Sequence, residues 1–144
     1  MIERGTRFGI PFEIAFAKGL LQTGDVVADT EYQPDRNRPS VQKIDPVTGK
    51  RQWKVTVTDP DQTNAKRASF ELIFLADVQP VPSAPELAPG TGLRMIELDG
   101  LSVEPRVMGQ GEFKYQGFAF RADGYREPAS RPASGGRSET AKAA

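Results

Sequence analysis

The chain has 144 residues, 38% of them hydrophobic and 26% charged, with 19 Lys+Arg balancing 19 Asp+Glu and neither cysteine nor histidine. That suits one soluble domain with a single core, and it excludes disulfide frameworks, thiol nucleophiles, ordinary zinc sites and every histidine-based triad. The zero net charge excludes a polybasic, histone-like binder but leaves room for a locally basic face.

Taken in chain order, residues 1–7 read as a flexible lead-in, and the N-terminus has no apolar stretch ending in a small-residue cleavage site. No run approaches the ~18 apolar residues a membrane span needs, so a soluble, cytoplasmic protein without a membrane partner is expected. In "FGIPFEIAFAKGLLQTG" (8–24), Phe12, Ile14 and Phe16 alternate as on a strand, while Phe12, Phe16, Leu20 and Leu21 would share a helix face. Pro11 and Gly19 favour a short strand and turn. "DVVADTEYQ" (25–33) reads as a strand, and "PDRNRPS" (34–40) as a loop.

The hairpin signal follows in "SVQKIDPVTGKRQWKVTVTDPD" (40–61). Pro46 and Gly49 suit a tight turn, and Trp53, Val55 and Val57 alternate with Gln52, Lys54, Thr56 and Thr58. Residues 59–67 are polar and turn-rich. "ASFELIFLADVQ" (68–79) is apolar on both faces, as a central or barrel-crossing strand would be. Prolines at 80, 82, 85 and 89 forbid a helix in the connection that follows. "LRMIELDG" (93–100) is a strand approach, and "LSVEPRVM" (101–108) and "EFKYQGFAFRADGY" (112–125) form a second hairpin around "GQG". A parity change from Phe113 and Tyr115 to Phe118 and Phe120 predicts a β-bulge at Gln116–Gly117. The Pro/Ala/Ser/Gly tail 127–144 is too poor in apolar residues to fold and is predicted disordered.

These signals describe one all-β domain over residues 1–126, with five to seven short strands and no long helix. A five-stranded, oligonucleotide-binding type of barrel accommodates them, with Gly117 at a barrel corner; a sandwich satisfies the same strand list.

Basic residues Arg51, Lys54, Lys66, Arg67, Lys114 and Arg121 lie on or beside strands that carry Trp53, Phe70, Tyr115 and Phe118. Single-strand binders combine such residues, since rings stack on bases and cations follow phosphates. Arg51, Lys54, Lys66, Arg67, Lys114, Arg121, Trp53, Tyr115 and Phe118 are therefore the candidate nucleic-acid-binding residues. Against this, Trp53, Phe70 and Phe74 suit a core. Lys54 faces away from Trp53, and Lys114 and Tyr115 point to opposite faces unless a bulge re-aims one. Arg36 and Arg38 read as solvated loop residues. Asp59-Pro60-Asp61 reads as a turn, lacking the further oxygen ligands and the glycine of a calcium loop. No phosphate-cradling glycine loop is present, and Ser/Thr nucleophiles have no candidate base. No catalytic residue, metal or cofactor is expected.

The hairpin 40–61, "VQPVPSAPELAPGTGLRMIELDGLSVEPRV" and "FKYQGFAFRADGYR" resemble the Pra family of replication, integration and excision activators of actinobacterial plasmids and integrative conjugative elements. The matching positions are Val41, Gln42, Asp45, Gly49, Trp53, Val55, Val57, Asp59 and Asp61, then Gln79 to Pro82, Gly100, Leu101, Val103, Pro105, Arg121, Ala122 and Gly124. The resemblance covers about residues 25–126. It implies a role in switching on replication or excision of a mobile element and supplies no catalytic residues. The basic and aromatic positions, rather than the resemblance, make single-stranded DNA the expected partner. The alternative is a protein-interaction module that docks a replication initiator or recombinase through an edge strand or segment 80–90. A homo-oligomer is compatible with the sequence, which does not fix the oligomeric state. No helix-turn-helix pattern is visible.

Overall fold

Two strands with strict alternation organise the structure, a computed structural model that describes residues 1–127. Gln52–Thr58 (β4) and Ser69–Leu75 (β5) pair antiparallel in unbroken register from Gln52↔Leu75 to Thr58↔Ser69. Their inward faces, Val55 and Val57 on β4 and Leu72 and Phe74 on β5, are fully or almost fully buried. Full burial of one such side chain contributes about 2–3 kcal/mol. Trp53 pairs with Phe74 on this face and packs against the core. Its indole Nε1 donates to the Ala76 carbonyl at 2.8 Å, which satisfies the polar end of the ring.

The N-terminal segment contributes at two places. Phe8–Gly9 (β1) and Leu20–Gln22 (β2) flank a single helical turn, Phe12–Ala15 (α1). The strand-and-turn expectation for 8–24 is thus half right. Pro11 holds an extended φ of −61° ahead of the turn, and its carbonyl accepts from the Ala15 amide at 3.1 Å. Phe12 and Phe16, one turn apart, both enter the core. The first residues are not all loose. Arg7 reaches Asp45 in the 45–50 turn through two hydrogen bonds of 2.9 and 2.6 Å.

The strand expected over 25–33 is reduced to Val27–Ala28 (β3), paired with β4, and a single bridge between Thr30 and Gln42. The hairpin at 40–61 has a short first arm, a bridge of Ile44 to Arg51, because Asp45 turns inward to meet Arg7. Ala65–Ala68 (α2) forms one helical turn in the segment expected to be all loop; Asn64 caps it by accepting from the Lys66 amide at 3.0 Å.

Beyond the proline-rich connection come Arg94–Ile96 (β6), Leu98–Asp99 (β7) and Ser102–Met108 (β8). After a 3-10 turn at Gly111–Phe113 follow Tyr115–Ala122 (β9) and Gly124–Tyr125 (β10). One sheet runs β1-β8-β9-β5-β4-β2-β6 with β3 added on β4, and β7 and β10 make a separate pair. The sheet is mixed, since β5 and β9 run parallel. It contains eight strands and does not close into a barrel. Its two-residue members have too few side chains to leave an alternation in the sequence. β1 and β6 are the two end strands of the sheet, and the segment carrying α1 connects β1 to β2, the neighbour of β6.

The predicted bulge is absent. β8 and β9 keep one register from Ser102↔Arg121 to Met108↔Tyr115. Phe113, which suggested the parity change, lies in the 3-10 turn before the strand starts. Gly117 has a packing reason instead: a Cβ there would stand 2.4 Å from Met108 Sδ, whose side chain lies across it.

Gly100, between β7 and β8, has φ +64°, and a Cβ would fall 2.0 Å from Asp123 Oδ2. Gly100→Ala is expected to cost about 1–2 kcal/mol, the left-handed penalty for a side chain. Gly9→Ala, which has open space and no positive φ, should stay within about 0.5 kcal/mol of the parent. Urea denaturation of the two variants checks this, and equal losses would refute the strain account. Among the described residues no helix is long and apolar enough to cross a membrane. The predicted disordered tail, from residue 128 onward, lies outside the described residues.

Candidate nucleic-acid interface

β5 and β9 touch as parallel neighbours only at Ile73↔Arg121 and Phe74↔Ala122. Toward Ser69–Phe70 and Tyr115–Phe118 no ladder joins them, and a cleft of about 510 Å³ opens there. Its floor is a cluster of three rings, from β5, β9 and the residue that closes α1. Phe16 and Phe120 lie 5.0 Å apart between centroids, Phe70 and Phe120 5.4 Å, and Phe16 and Phe70 6.0 Å. The short helix α2 supplies Lys66 and Arg67 to one rim; Tyr115 and Phe118 supply the other. Phe118 is 48% exposed and stands 6.4 Å from Phe120, continuing the aromatic surface outward. The Arg67 guanidinium lies 3.8 Å above the Tyr115 ring centroid and so spans the mouth.

The charge at this rim is mostly positive. Neither Lys66 nor Arg67 has an ion-pair partner among the described residues. Asp59 also lines the cleft, and its carboxylate accepts the Asp61 amide at 2.9 Å. Because the cleft is a slit along a strand edge rather than a groove across one face, residues of both parities reach it. Tyr115 and Phe118 point to opposite faces of β9 and still border the same space.

The nine candidate residues therefore separate into groups. Lys66, Arg67, Tyr115 and Phe118 converge on the cleft. Lys114 directly precedes Tyr115, is exposed, and has no ion pair among the described residues. Arg51 lies at the far end of β4, where its carbonyl accepts from Ala76, about 20 Å of strand from the cleft end. Trp53 is at that far end too, with its ring against the core. Lys54 is on the outer face, 3.8 Å from Glu71. Arg121 is held by Glu104 at 2.8 Å, with 12% of its side chain exposed. Phe16 escaped the sequence reading as a site residue. Its signal was the helical spacing Phe12–Phe16–Leu20, the reading not favoured there.

Away from the cleft, two buried carboxylates hold the frame. Hydrogen bonds from Arg7, then from the Thr48 hydroxyl and amide, hold the Asp45 carboxyl far below the usual carboxylate range, and Arg7 is raised in return. Glu104 is lowered by hydrogen bonds from Arg106 and Arg121 against the opposing effect of burial. Burial pushes the Tyr125 hydroxyl up, and that hydroxyl hydrogen-bonds Gln22 Oε1 at 2.6 Å. Among the described residues no group of three or more His, Cys, Asp or Glu is placed to hold a metal ion.

Comparison of the chain with family models, curated proteins and solved structures finds no match.

Proposed function

We propose that this chain is a non-enzymatic accessory protein of mobile-element replication that binds single-stranded DNA at the cleft between β5 and β9. The observation that carries the reading is the pair of cations, Lys66 and Arg67, without ion-pair partners among the described residues, on the rim of an aromatic slit with Tyr115 and Phe118 opposite. Sequence-tolerant single-strand binders need those two ingredients together, cations for phosphates and ring faces for bases. The open sheet would offer this cleft in place of the binding face that an oligonucleotide-binding type of barrel presents, with Phe16 packed in its aromatic floor. The mobile-element role rests on the likeness of residues 25–126 to the Pra family.

Fluorescence anisotropy of a labelled single strand and its duplex, at low and physiological salt, tests this. The single strand should bind more tightly, with log affinity falling by about 0.7 per unit of log salt for each phosphate neutralised. Absence of binding by the folded protein at either salt would refute it. A second reading, docking of a replication initiator or recombinase, is favoured by one observation. The proline-rich connection leaves Val81 and Leu87 76% and 60% exposed, while the Arg94 guanidinium holds its backbone at the Ala84 carbonyl.

A further inference from the structure

We infer that the cleft takes an unstacked nucleobase into its interior, and that Arg67 is a latch which must leave the Tyr115 ring for the base to enter. This rests on the single-strand reading above and adds what is recognised: the base itself, beyond the phosphate backbone.

Two observations and one consequence support insertion over surface stacking. First, the space lies between two parting strands and is floored by Phe16, Phe70 and Phe120. A sugar-phosphate would be poorly solvated against such a floor, whereas a planar base has faces to match it. At about 510 Å³ the cleft falls in the range of sites that hold small organic ligands. Second, the face of Tyr115 already carries a planar, delocalised group, the Arg67 guanidinium at 3.8 Å. A base stacked there would take the same position. Third, the displaced guanidinium would remain at the rim beside Lys66, where both can meet the phosphates flanking the inserted base. The exchange swaps a partly exposed cation–π contact for a base stack plus a charge-assisted phosphate contact.

A duplex cannot supply such a base without unpairing it, so insertion also gives discrimination against duplex.

The test compares a short labelled oligothymidine with a chain of equal length made of abasic deoxyribose phosphates, against the parent protein and the Tyr115→Ala and Tyr115→Phe variants. Trp53, remote from the cleft, reports by its emission that each variant is folded. The parent should bind the intact strand about tenfold or more tightly than the abasic one. Tyr115→Phe should keep that preference and Tyr115→Ala should lose most of it. Equal binding of intact and abasic strands by the parent would overturn insertion while leaving the single-strand reading standing. A base preference that survives undiminished in Tyr115→Ala would place the base elsewhere and also overturn it. Binding of neither strand would remove both readings.

Discussion

Replacing Asp45 by alanine is expected to lower folding stability by about 3 kcal/mol, because it leaves the largely buried Arg7 guanidinium without its carboxylate. Asp45 is fully buried and receives both terminal nitrogens of Arg7, with the Thr48 amide and hydroxyl at 2.9 and 2.8 Å on the same carboxylate. Arg7 Nε is already buried without a partner, and the other carboxylate whose charge acts on the guanidinium, Glu104, is itself engaged by Arg106 and Arg121. A domain of this size has a total stability of about 5–15 kcal/mol, so Asp45→Ala would be marginal. Guanidinium denaturation at neutral pH measures the loss. A cost below about 1 kcal/mol, the level of an exposed pair, would show that the contact is solvated. The double variant Arg7→Met, Asp45→Ala should recover part of the loss, since it removes both charges.

The same pair sets the acid response. The folded-state pKa of Asp45 is depressed, and that of Glu104 is lowered as well. Such groups stabilise the fold fully above their unfolded pKa values near ~4, and the contribution disappears as pH falls through the folded values. The parent should therefore lose stability steadily below about pH 4, and Asp45→Asn should lose less over that interval.

The consequence reaches the cleft. Arg7 anchors the chain just before β1 and α1, and α1 positions Phe16 in the aromatic floor. A protein with the Arg7–Asp45 contact broken should bind less well even under conditions where it remains folded.

Strand periodicity revealed β4, β5, β8 and the later part of β9 because seven- and eight-residue strands carry enough alternation to be seen. β1, β3, β7 and β10 have two residues each, so where the sequence suggested a strand, as over 25–33, it overstated its length; their extent and pairing are decided by tertiary contacts. The proposed site was legible only as a composition of basic and aromatic residues. Lys54 and Arg121 share that composition with Lys66 and Arg67, yet the fold neutralises the first two with Glu71 and Glu104. No local rule announces this, because Glu104 is seventeen residues from Arg121 and meets it only through the β8–β9 register. The approach of Arg67 to Tyr115 depends on the parallel contact of β5 with β9, a long-range pairing that spacing does not encode. Parity turned the opposite facings of Tyr115 and Phe118 into a predicted bulge; the strand is regular, and both rings border the same space because the cleft opens at a strand edge.

The charge reversal Lys66→Glu with Arg67→Glu should weaken single-strand binding about a thousandfold at low salt. Each exposed cation contributes on the order of 1 kcal/mol with a phosphate, and reversal replaces that attraction with a repulsion of similar size. The salt dependence should flatten in parallel, by about 1.4 log units per log salt for two lost phosphate contacts. Folding should be nearly unaffected. α2 is a single exposed turn, neither residue has an ion pair among the described residues, and the lost stack on Tyr115 is a partly exposed cation–π contact of about 1 kcal/mol or less. Arg51→Glu, at the opposite end of β4, is the matched control: it changes net charge by the same amount per site without touching the cleft. Parallel anisotropy titrations decide between a local interface and diffuse attraction. If two reversals at the rim weaken binding no more, per charge, than Arg51→Glu does, the protein's overall field brings DNA to it and the cleft plays no part. A large, salt-flattening loss confined to the rim would mean that phosphates sit where Lys66 and Arg67 place them, within reach of the Tyr115 ring.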